Sequence, residues 1–227
     1  MIKFVDLSIV IKNTLIISDL HIGYEEALNK QGVMVPRLQF NKLKIRLTKL
    51  FKKVQPKTVI INGDLKHEFG TISKQEWRDT LKIIDLITLT SKLIIIKGNH
   101  DSIMGPIAKK RNVEFKSSHI IDNIIILHGD KIPKIIKQDT IIIGHEHPAI
   151  TLREGAKKEI YKCFLKGKFR NKTLYVLPSF NFTSEGTDIT YEKLLSPFLK
   201  EMKSVQVTIS QDNELYNFGK VKLGNNV

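Results

Sequence analysis

Oxygen-bearing and imidazole side chains recur along the sequence directly after short apolar runs. Seven side chains of this kind follow five such runs: Asp19, His21, Asp64, Asn99, His128, His145 and His147. Carboxylate, amide and imidazole ligands without a thiolate suit divalent ions of the Mn, Fe or Zn kind rather than a structural cysteine-rich zinc site. The sequence therefore predicts a metal centre assembled from the ends of several strands.

Two of the motifs place candidate ligands two residues apart. Asp19 and His21 form one pair, and His145 and His147 form the other. Residues two apart project to the same side of extended backbone. The two side chains of each pair are therefore expected to face the metal centre together. If Asp64 bridges two ions, the two sets of ligands are Asp19, His21 and His147 for one ion and Asn99, His128 and His145 for the other.

The charges of this centre favour a phosphate ester as substrate. Two divalent ions bring four positive charges, and Asp19 and Asp64 return only two negative ones. Such ions make a shared water available as bridging hydroxide near neutral pH and clamp the attacking and leaving oxygens. His100 is placed to donate a proton or hydrogen bond to the phosphoryl or leaving oxygen, and Asp101 to fix the tautomer of His100.

The composition excludes a disordered or membrane-embedded chain. The excess of positive charge has two interpretations. The 227 residues carry 37 Lys and Arg against 23 Asp and Glu, a net charge of +14. Such an excess indicates either an anionic partner or only a soluble, Lys-rich surface. Cys163 is the sole cysteine and no apolar run approaches the length of a membrane span, so a cytoplasmic protein is expected.

The elements that position these residues alternate between strands and helices. Short β-branched runs without polar alternation are typical of strands buried on both faces. Apolar residues at three- and four-residue spacing predict helices over 38–54, 73–89 and 103–111, the second beginning at a capping box formed by Ser73 and Glu76. Strands dominate after residue 150. We therefore expect one layered α/β domain over residues 1–227 with a mixed sheet.

The motifs, in their order and spacing, resemble those of the calcineurin-like metallophosphoesterases. The matching segments are Asp19-Leu20-His21, Gly63-Asp64, Gly98-Asn99-His100-Asp101, His128-Gly129 and Gly144-His145-Glu146-His147. Within that superfamily the chain looks most similar to the archaeal SbcD-related phosphoesterases, kin of a group associated with DNA ligases. That subgroup rests on the segments 32–37, 63–68, 144–148 and 177–181.

The resemblance implies a four-layer α-β-β-α sandwich of two mixed sheets with a dinuclear metal centre at one sheet edge. It also implies phosphoester hydrolysis, with the ligand and catalytic roles given above. Mn²⁺ is the favoured ion, with Fe²⁺, Zn²⁺ and Ni²⁺ as alternatives. Many relatives have an acidic residue three positions after the bridging Asp, where this chain has His67. His67 and Arg37 are candidate substrate-binding residues.

The most concrete functional hypothesis is a phosphodiesterase or nuclease that acts on DNA or a nucleotide. The alternatives are a phosphomonoesterase or small-nucleotide hydrolase, and a non-catalytic scaffold that uses the fold for protein contacts. A nuclease subunit with an ATPase partner is suggested by the resemblance to SbcD but has no support in this sequence.

Two further features have both a structural and a functional interpretation. No acidic residue occurs from Arg37 to Lys57, so the basic helix is either a solvated face or a contact surface for a phosphate backbone. Phe180 and Phe182 either line a substrate cleft or belong to the core, and the sequence favours neither placement.

Overall fold

The computed structural model describes residues 1–69, 73–212 and 214–224. The helices are α1 (Tyr24–Lys30), α2 (Gln39–Val54), α3 (Lys74–Thr88), α4 (Met104–Lys110) and α5 (Pro197–Lys200). The strands are β1 (Ile2–Val5), β2 (Ser8–Ile11), β3 (Thr14–Ile17), β4 (Thr58–Asn62), β5 (Lys92–Ile96), β6 (Glu114–Lys116), β7 (Ser118–Ile121), β8 (Ile124–Leu127), β9 (Thr140–Ile143), β10 (Pro148–Glu154), β11 (Lys157–Phe169), β12 (Lys172–Val176), β13 (Thr187–Asp188), β14 (Ser204–Gln211) and β15 (Glu214–Lys222).

These strands form two mixed sheets, as expected. The first has six strands in the order β1-β2-β3-β4-β5-β6, with β3 to β6 parallel. The second has nine strands: β13-β10-β11-β12-β9-β8-β7 in line, with β14 on β11 and β15 on β14. Strands β8, β9 and β12 are parallel to one another, so their carboxyl ends also share one edge.

The apolar strands are buried on both faces, which confirms the interpretation of the unbroken β-branched runs. In β3, Leu15 and Ile17 face the core beneath α2, α3 and α4, whereas Ile16 faces the core between the two sheets. In β9, Ile142 faces the inter-sheet core and its neighbours face the outer core of the second sheet. This outer core is covered by the short helix α5 and the chain around it, which completes the four layers.

The three predicted helices are confirmed, with ends that differ from the predictions by one residue. The Ser73 hydroxyl accepts a hydrogen bond from the Glu76 N–H at 3.0 Å and so caps α3. The reciprocal half of the capping box is missing, because the Glu76 carboxylate instead accepts from the N–H groups of His67 and Glu68. No helix within the described residues is long and apolar enough to cross a membrane.

Candidate metal centre

The loops after β3, β4, β5, β8 and β9 converge where the carboxyl edges of the two sheets meet. Backbone hydrogen bonds join them: the Asp19 N–H donates to the Gly63 carbonyl at 3.1 Å, and the Gly144 N–H donates to the His128 carbonyl at 2.8 Å. The Asp19 carboxylate accepts from the His145 N–H at 3.1 Å and so connects the two sheets. All seven candidate ligands therefore lie in one cluster.

Two groups of donor atoms can each hold a metal ion. Asp19, His21 and His147 form the first, in which the His147 Nε2 lies 3.2 Å from the His21 Nε2 and 3.4 Å from the Asp19 Oδ1. Asp64, His128 and His145 form the second, and the Asn99 Oδ1 lies 2.9 Å from the His128 Nε2 beside it. The first group contains the same residues as one of the two sets expected from the sequence, and the second contains His128 and His145 of the other set.

Asp64 lies between the two groups. Its Oδ2 is 3.2 Å from the His128 Nε2 and 3.8 Å from the His21 Nε2. Its Oδ1 accepts a hydrogen bond from the His100 N–H at 2.9 Å, which fixes the carboxylate against the loop after β5. One carboxylate is therefore within reach of both sets of imidazoles.

Five of the seven candidate ligands have left-handed rather than extended backbone, which corrects the geometry expected for the two pairs of ligands. The φ angles are 56° at Asp19, 45° at His21, 48° at Asp64, 65° at His145 and 51° at His147. Non-glycine residues seldom adopt this region, at a cost on the order of 1–3 kcal/mol each, and such residues cluster at functional sites. The sharp turns, not strand alternation, aim these side chains inward.

Glycines next to the ligands allow the loops to approach one another closely. A Cβ at Gly144 would lie 1.8 Å from the Ser18 Oγ and 2.6 Å from the Asp19 Oδ2. A Cβ at Gly98 would lie 2.1 Å from the Asp64 Oδ1. At both positions glycine is therefore required, because a residue of another loop occupies the space that a side chain would need.

The ring nitrogens of adjacent histidines face one another without room for two protons. The His128 Nε2 and His145 Nδ1 are 3.2 Å apart, and the His21 Nδ1 and His67 Nδ1 are 3.3 Å apart. Burial, and then the neighbouring histidine charge, lowers the pKa of His145 to about 4, that of His67 to about 4 and that of His21 well below its ordinary value. Neutral imidazoles with inward lone pairs are the form that binds divalent ions.

The carboxylates of Asp19 and Asp64 are ionised despite their burial, because the pKa of each is lowered. Burial acts to raise the pKa of Asp19, but the charge and hydrogen bond of His147, together with His128 and His21, hold that pKa well below its usual range. The pKa of His128 moves the other way. Burial acts to lower it, but the hydrogen bond that His128 donates to Asp64 and the charges of both carboxylates raise it to about 9. The donor set thus fits divalent cations, which would take the place of this proton.

His100 stands at the rim of the cluster, with its side chain 15% exposed. Its Nδ1 contacts the His67 carbonyl, and its Nε2 lies 4.0 Å from the Asp64 Oδ2. The Phe69 ring packs against the imidazole with centroids 3.8 Å apart. Because the carbonyl can only accept, Nδ1 carries a proton and Nε2 is the atom left for a substrate.

Asp101 does not fix the His100 ring as the sequence analysis expected. Its Oδ1 accepts from the Leu65 N–H at 3.1 Å and its Oδ2 accepts from the Gly98 N–H at 3.0 Å. The carboxylate therefore holds the loops that carry Asp64 and Asn99, and the His67 carbonyl takes the expected place beside the imidazole.

The two candidate substrate residues differ in their placement. His67 lies in the cluster, and its ring packs on Tyr24 at 4.2 Å and forms a third group of possible ligands with His21 and His100. Arg37 instead pairs with Glu26 at 2.7 Å, with its side chain 56% exposed. The acidic partner, on α1, accounts for the position of the guanidinium.

Sequence reasoning missed four charged side chains that restrain the site through backbone groups; three of them are buried and the fourth, Lys162, is partly buried. Glu76 binds the N–H groups of His67 and Glu68, as described above, and Glu146 accepts from those of Leu195 and Ser196. The Lys66 ammonium donates to the His100 carbonyl at 2.6 Å and also to the Glu68 carbonyl. Lys162 donates to the Ser179 carbonyl and hydroxyl and to the Asn181 carbonyl. Only their burial distinguishes them from surface charges.

A family model described as calcineurin-like phosphoesterase matches residues 12–201, which include every ligand candidate. The chain belongs to this family. It is a metal-dependent phosphoesterase, and the match confirms both the resemblance at superfamily level and the expected enzyme class. The family generally uses dinuclear divalent metals, in agreement with the two groups of donors.

The fold of the chain is similar to that of a solved nuclease structure, and a weaker likeness to a phosphoesterase was also found. The Pseudomonas putida nuclease MPE has a TM-score of 0.65 and 19% identity, covering 94% of this chain and 92% of its own. Yfce, a phosphoesterase from E. coli, has a TM-score of 0.46 and 13% identity, covering 93% and 99%. A comparison with curated proteins found no match.

The close packing at Gly144 predicts a large effect of one methyl group. Gly144→Ala should lower the free energy of unfolding by about 1–3 kcal/mol because the new Cβ displaces Ser18 and Asp19. Gly105→Ala, in α4 with nothing within 4 Å of a Cβ, is the control and should raise it by about 0.5–1 kcal/mol. Urea unfolding of both variants measures this; equal stability of the two would contradict the packing argument.

Lys162 predicts a pH dependence of stability. Burial, with a smaller contribution from Arg46, lowers its pKa from 10.5 to about 7. Between these values the unfolded chain binds more protons than the folded one, so Lys162 makes the free energy of unfolding rise with pH; below about pH 7 its contribution is constant. Lys162→Met should remove that rise in urea unfolding from pH 7 to 10. Lys166→Met, an exposed lysine of the same strand, should retain it; identical slopes in both variants would refute the prediction.

Proposed function

We propose that this phosphoesterase is a phosphodiesterase that cleaves nucleic acid at a dinuclear centre. The observation that carries the proposal is the position of the Asp64 carboxylate, which lies within 3.8 Å of an imidazole from each of the two groups of donors. The first ion would be held by Asp19, His21 and His147, and the second by Asn99, His128 and His145, with Asp64 shared. When bound, such ions supply an activated water and positive charge for the phosphate oxygens.

The chain's own residues would then orient the ester and move the proton. The His100 imidazole, in its charged form, donates Nε2–H to the leaving oxygen as water adds to phosphorus and the phosphorus–oxygen bond breaks. The His67 carbonyl at Nδ1 stabilises the charged ring. Lys66 fixes the His100 carbonyl from behind, so the imidazole is held at the rim of the centre where a phosphate can reach it.

His67 would support the centre in place of the acidic residue of many relatives. If His21 binds an ion through Nε2, its Nδ1–H donates to the His67 Nδ1, which is 3.3 Å away. Ligating histidines generally donate their second N–H in this way, which fixes the tautomer. The His67 Nε2–H is then a donor available to a substrate oxygen.

Nucleic acid as the substrate is supported by charge and by one relative. The net charge of +14 favours a polyanion, and the Pseudomonas putida protein of the same fold is a nuclease. The finer placement among the SbcD-related phosphoesterases is part of this proposal and rests on the segments 32–37, 63–68, 144–148 and 177–181. Mn²⁺ is the ion we propose, since carboxylate, amide and imidazole ligands suit it.

Two substitutions separate the proton donor from the bridging ligand. His100→Ala should retain Mn²⁺ binding but reduce kcat by about 10²- to 10⁴-fold, the range for loss of a general acid. Asp64→Ala should lose the dinuclear stoichiometry in calorimetric titration with Mn²⁺. His119→Ala, on the edge strand β7, is the matched control and should change neither quantity. Full activity in either site variant would refute its assigned role.

The substrate class is tested with end-labelled DNA, bis-nitrophenyl phosphate and nitrophenyl phosphate side by side in Mn²⁺, with a chelated control. Degradation of DNA that requires both Mn²⁺ and His100 is the expected result. Intact DNA with hydrolysis of nitrophenyl phosphate would replace the proposal with a phosphomonoesterase or small-nucleotide hydrolase. Two bound ions with no ester hydrolysed would leave a metal-binding scaffold.

A further inference from the structure

A groove that encloses about 760 Å³ runs along helix α2. One wall is a face of α2 that carries Lys42, Arg46, Lys49 and Lys53; the second sheet supplies the opposite wall, with Lys162, and Phe182 also lines it. We call this the α2 groove. It contains none of the candidate metal ligands, and of its lining only Lys162 takes part in the site described above.

The basic residues of the α2 groove form a line rather than a scattered patch. Their spacings of four, three and four residues place them on one helix face, and they extend over about 16 Å at 1.5 Å per residue. Lys42, Lys49 and Lys53 are exposed, and α2 contains no acidic residue. Of the acidic groups in the lining, Asp6 is paired with Arg46, and Asp212 lies in the β14–β15 connection.

The walls of the α2 groove are hydrogen-bonded to the segment that carries two candidate ligands. At the start of α2, the Gln39 amide donates to the Leu20 carbonyl at 3.0 Å, between two candidate ligands. Across the groove, Lys162 binds the Asn181 carbonyl at 2.6 Å, and the Asn181 amide donates to the Asp19 carbonyl at 3.2 Å. Both walls are therefore connected to the segment that carries Asp19 and His21.

Phe182 gives the α2 groove an aromatic surface. Its ring is 41% exposed, whereas Phe180 is fully buried in the core. The Arg46 guanidinium, 5.1 Å from the centroid of the Phe182 ring, packs against it and is itself fixed by Asp6. The ring thus contacts Arg46 while part of its surface stays open. An open aromatic face beside a line of cations is the arrangement that binds single-stranded nucleic acid.

We propose that the α2 groove binds a single strand of nucleic acid, with phosphates on Lys42, Lys49 and Lys53 and a base on Phe182. The inference rests on the proposed function, since it gives the strand a path to the metal centre. Lysines in line match the repeated charge of a phosphate backbone. Stacking on Phe182 is a contact that an acidic peptide or a lipid headgroup does not require.

The test is the binding of a fluorescent oligothymidine to the full chain with Mn²⁺, in a His100→Ala background that slows cleavage, over a series of salt concentrations. Lys49→Gln/Lys53→Gln should weaken binding and lower the slope of log K against log salt by about 1.4, at about 0.7 per phosphate contact. Lys44→Gln/Lys52→Gln removes the same charge from the same helix outside the groove and should leave the slope unchanged. Equal effects of the two pairs, or none, would overturn the proposal.

Phe182→Leu distinguishes a nucleic acid from other polyanions. It should weaken oligothymidine binding by about 5- to 150-fold, the range for loss of one stacked base. Phe218→Leu, at a ring of similar exposure outside the groove, is the control. Unchanged affinity in Phe182→Leu, or displacement of the oligonucleotide by polyglutamate at equal charge concentration, would overturn the assignment to nucleic acid.

Hydrolysis of bis-nitrophenyl phosphate by the groove variants, with His100 intact, separates failure of this inference from failure of the proposed function. Wild-type rates in both lysine pairs, with loss of oligothymidine binding only in the groove pair, are the expected result. Rates at wild-type level with unchanged binding would overturn the groove and leave the enzyme standing. If the chain binds oligothymidine in the groove but hydrolyses no ester, the inference about the groove is retained and the proposed function is refuted.

Discussion

The carboxylate of Asp19 is fully buried at the junction of the two sheets, and the arrangement of the site depends on it. An isolated buried carboxylate would be strongly unfavourable. Here it accepts the His145 N–H from the second sheet and lies within 3.4 Å of the His147 imidazole. Its charge therefore ties the loop after β9 to the loop after β3, and divalent ions would complete its neutralisation.

This constraint explains why strain and buried charge concentrate in the same place. The ligand loops turn through left-handed backbone at five non-glycine residues, and glycines lie where the loops touch. Such a conformation persists only where the surroundings over-determine it. Glu76 and Lys66 provide that restraint by binding backbone groups of the ligand loops. Glu146 ties its own loop to the backbone of Ser196, and Lys162 binds the Asn181 carbonyl, next to the amide that donates to the Asp19 carbonyl. Charges that resemble surface residues in the sequence thus orient the ligands.

The same loops connect the centre with the basic helix. Lys162 and Asn181 link the wall of the α2 groove to the backbone of Asp19, and Gln39 links the start of α2 to Leu20. A phosphate backbone in the groove would therefore approach the ions from a fixed direction. Positioning of the reacting group is a large part of what phosphoryl-transfer enzymes contribute.

The sequence by itself determined the strands that precede the candidate ligands, the helices α2, α3 and α4, and the residues that form the cluster. The reason is that unbroken apolar runs must be buried on both faces and polar residues that follow parallel strands collect at one edge. Tertiary structure alone decided how the ligands point and what holds them. Asp101 binds two amides rather than His100, Glu76 leaves its capping box for the loop of His67, and Arg37 turns to Glu26. Each choice depends on a partner that is remote in sequence or brought near only by a turn, so local patterns could not reveal it.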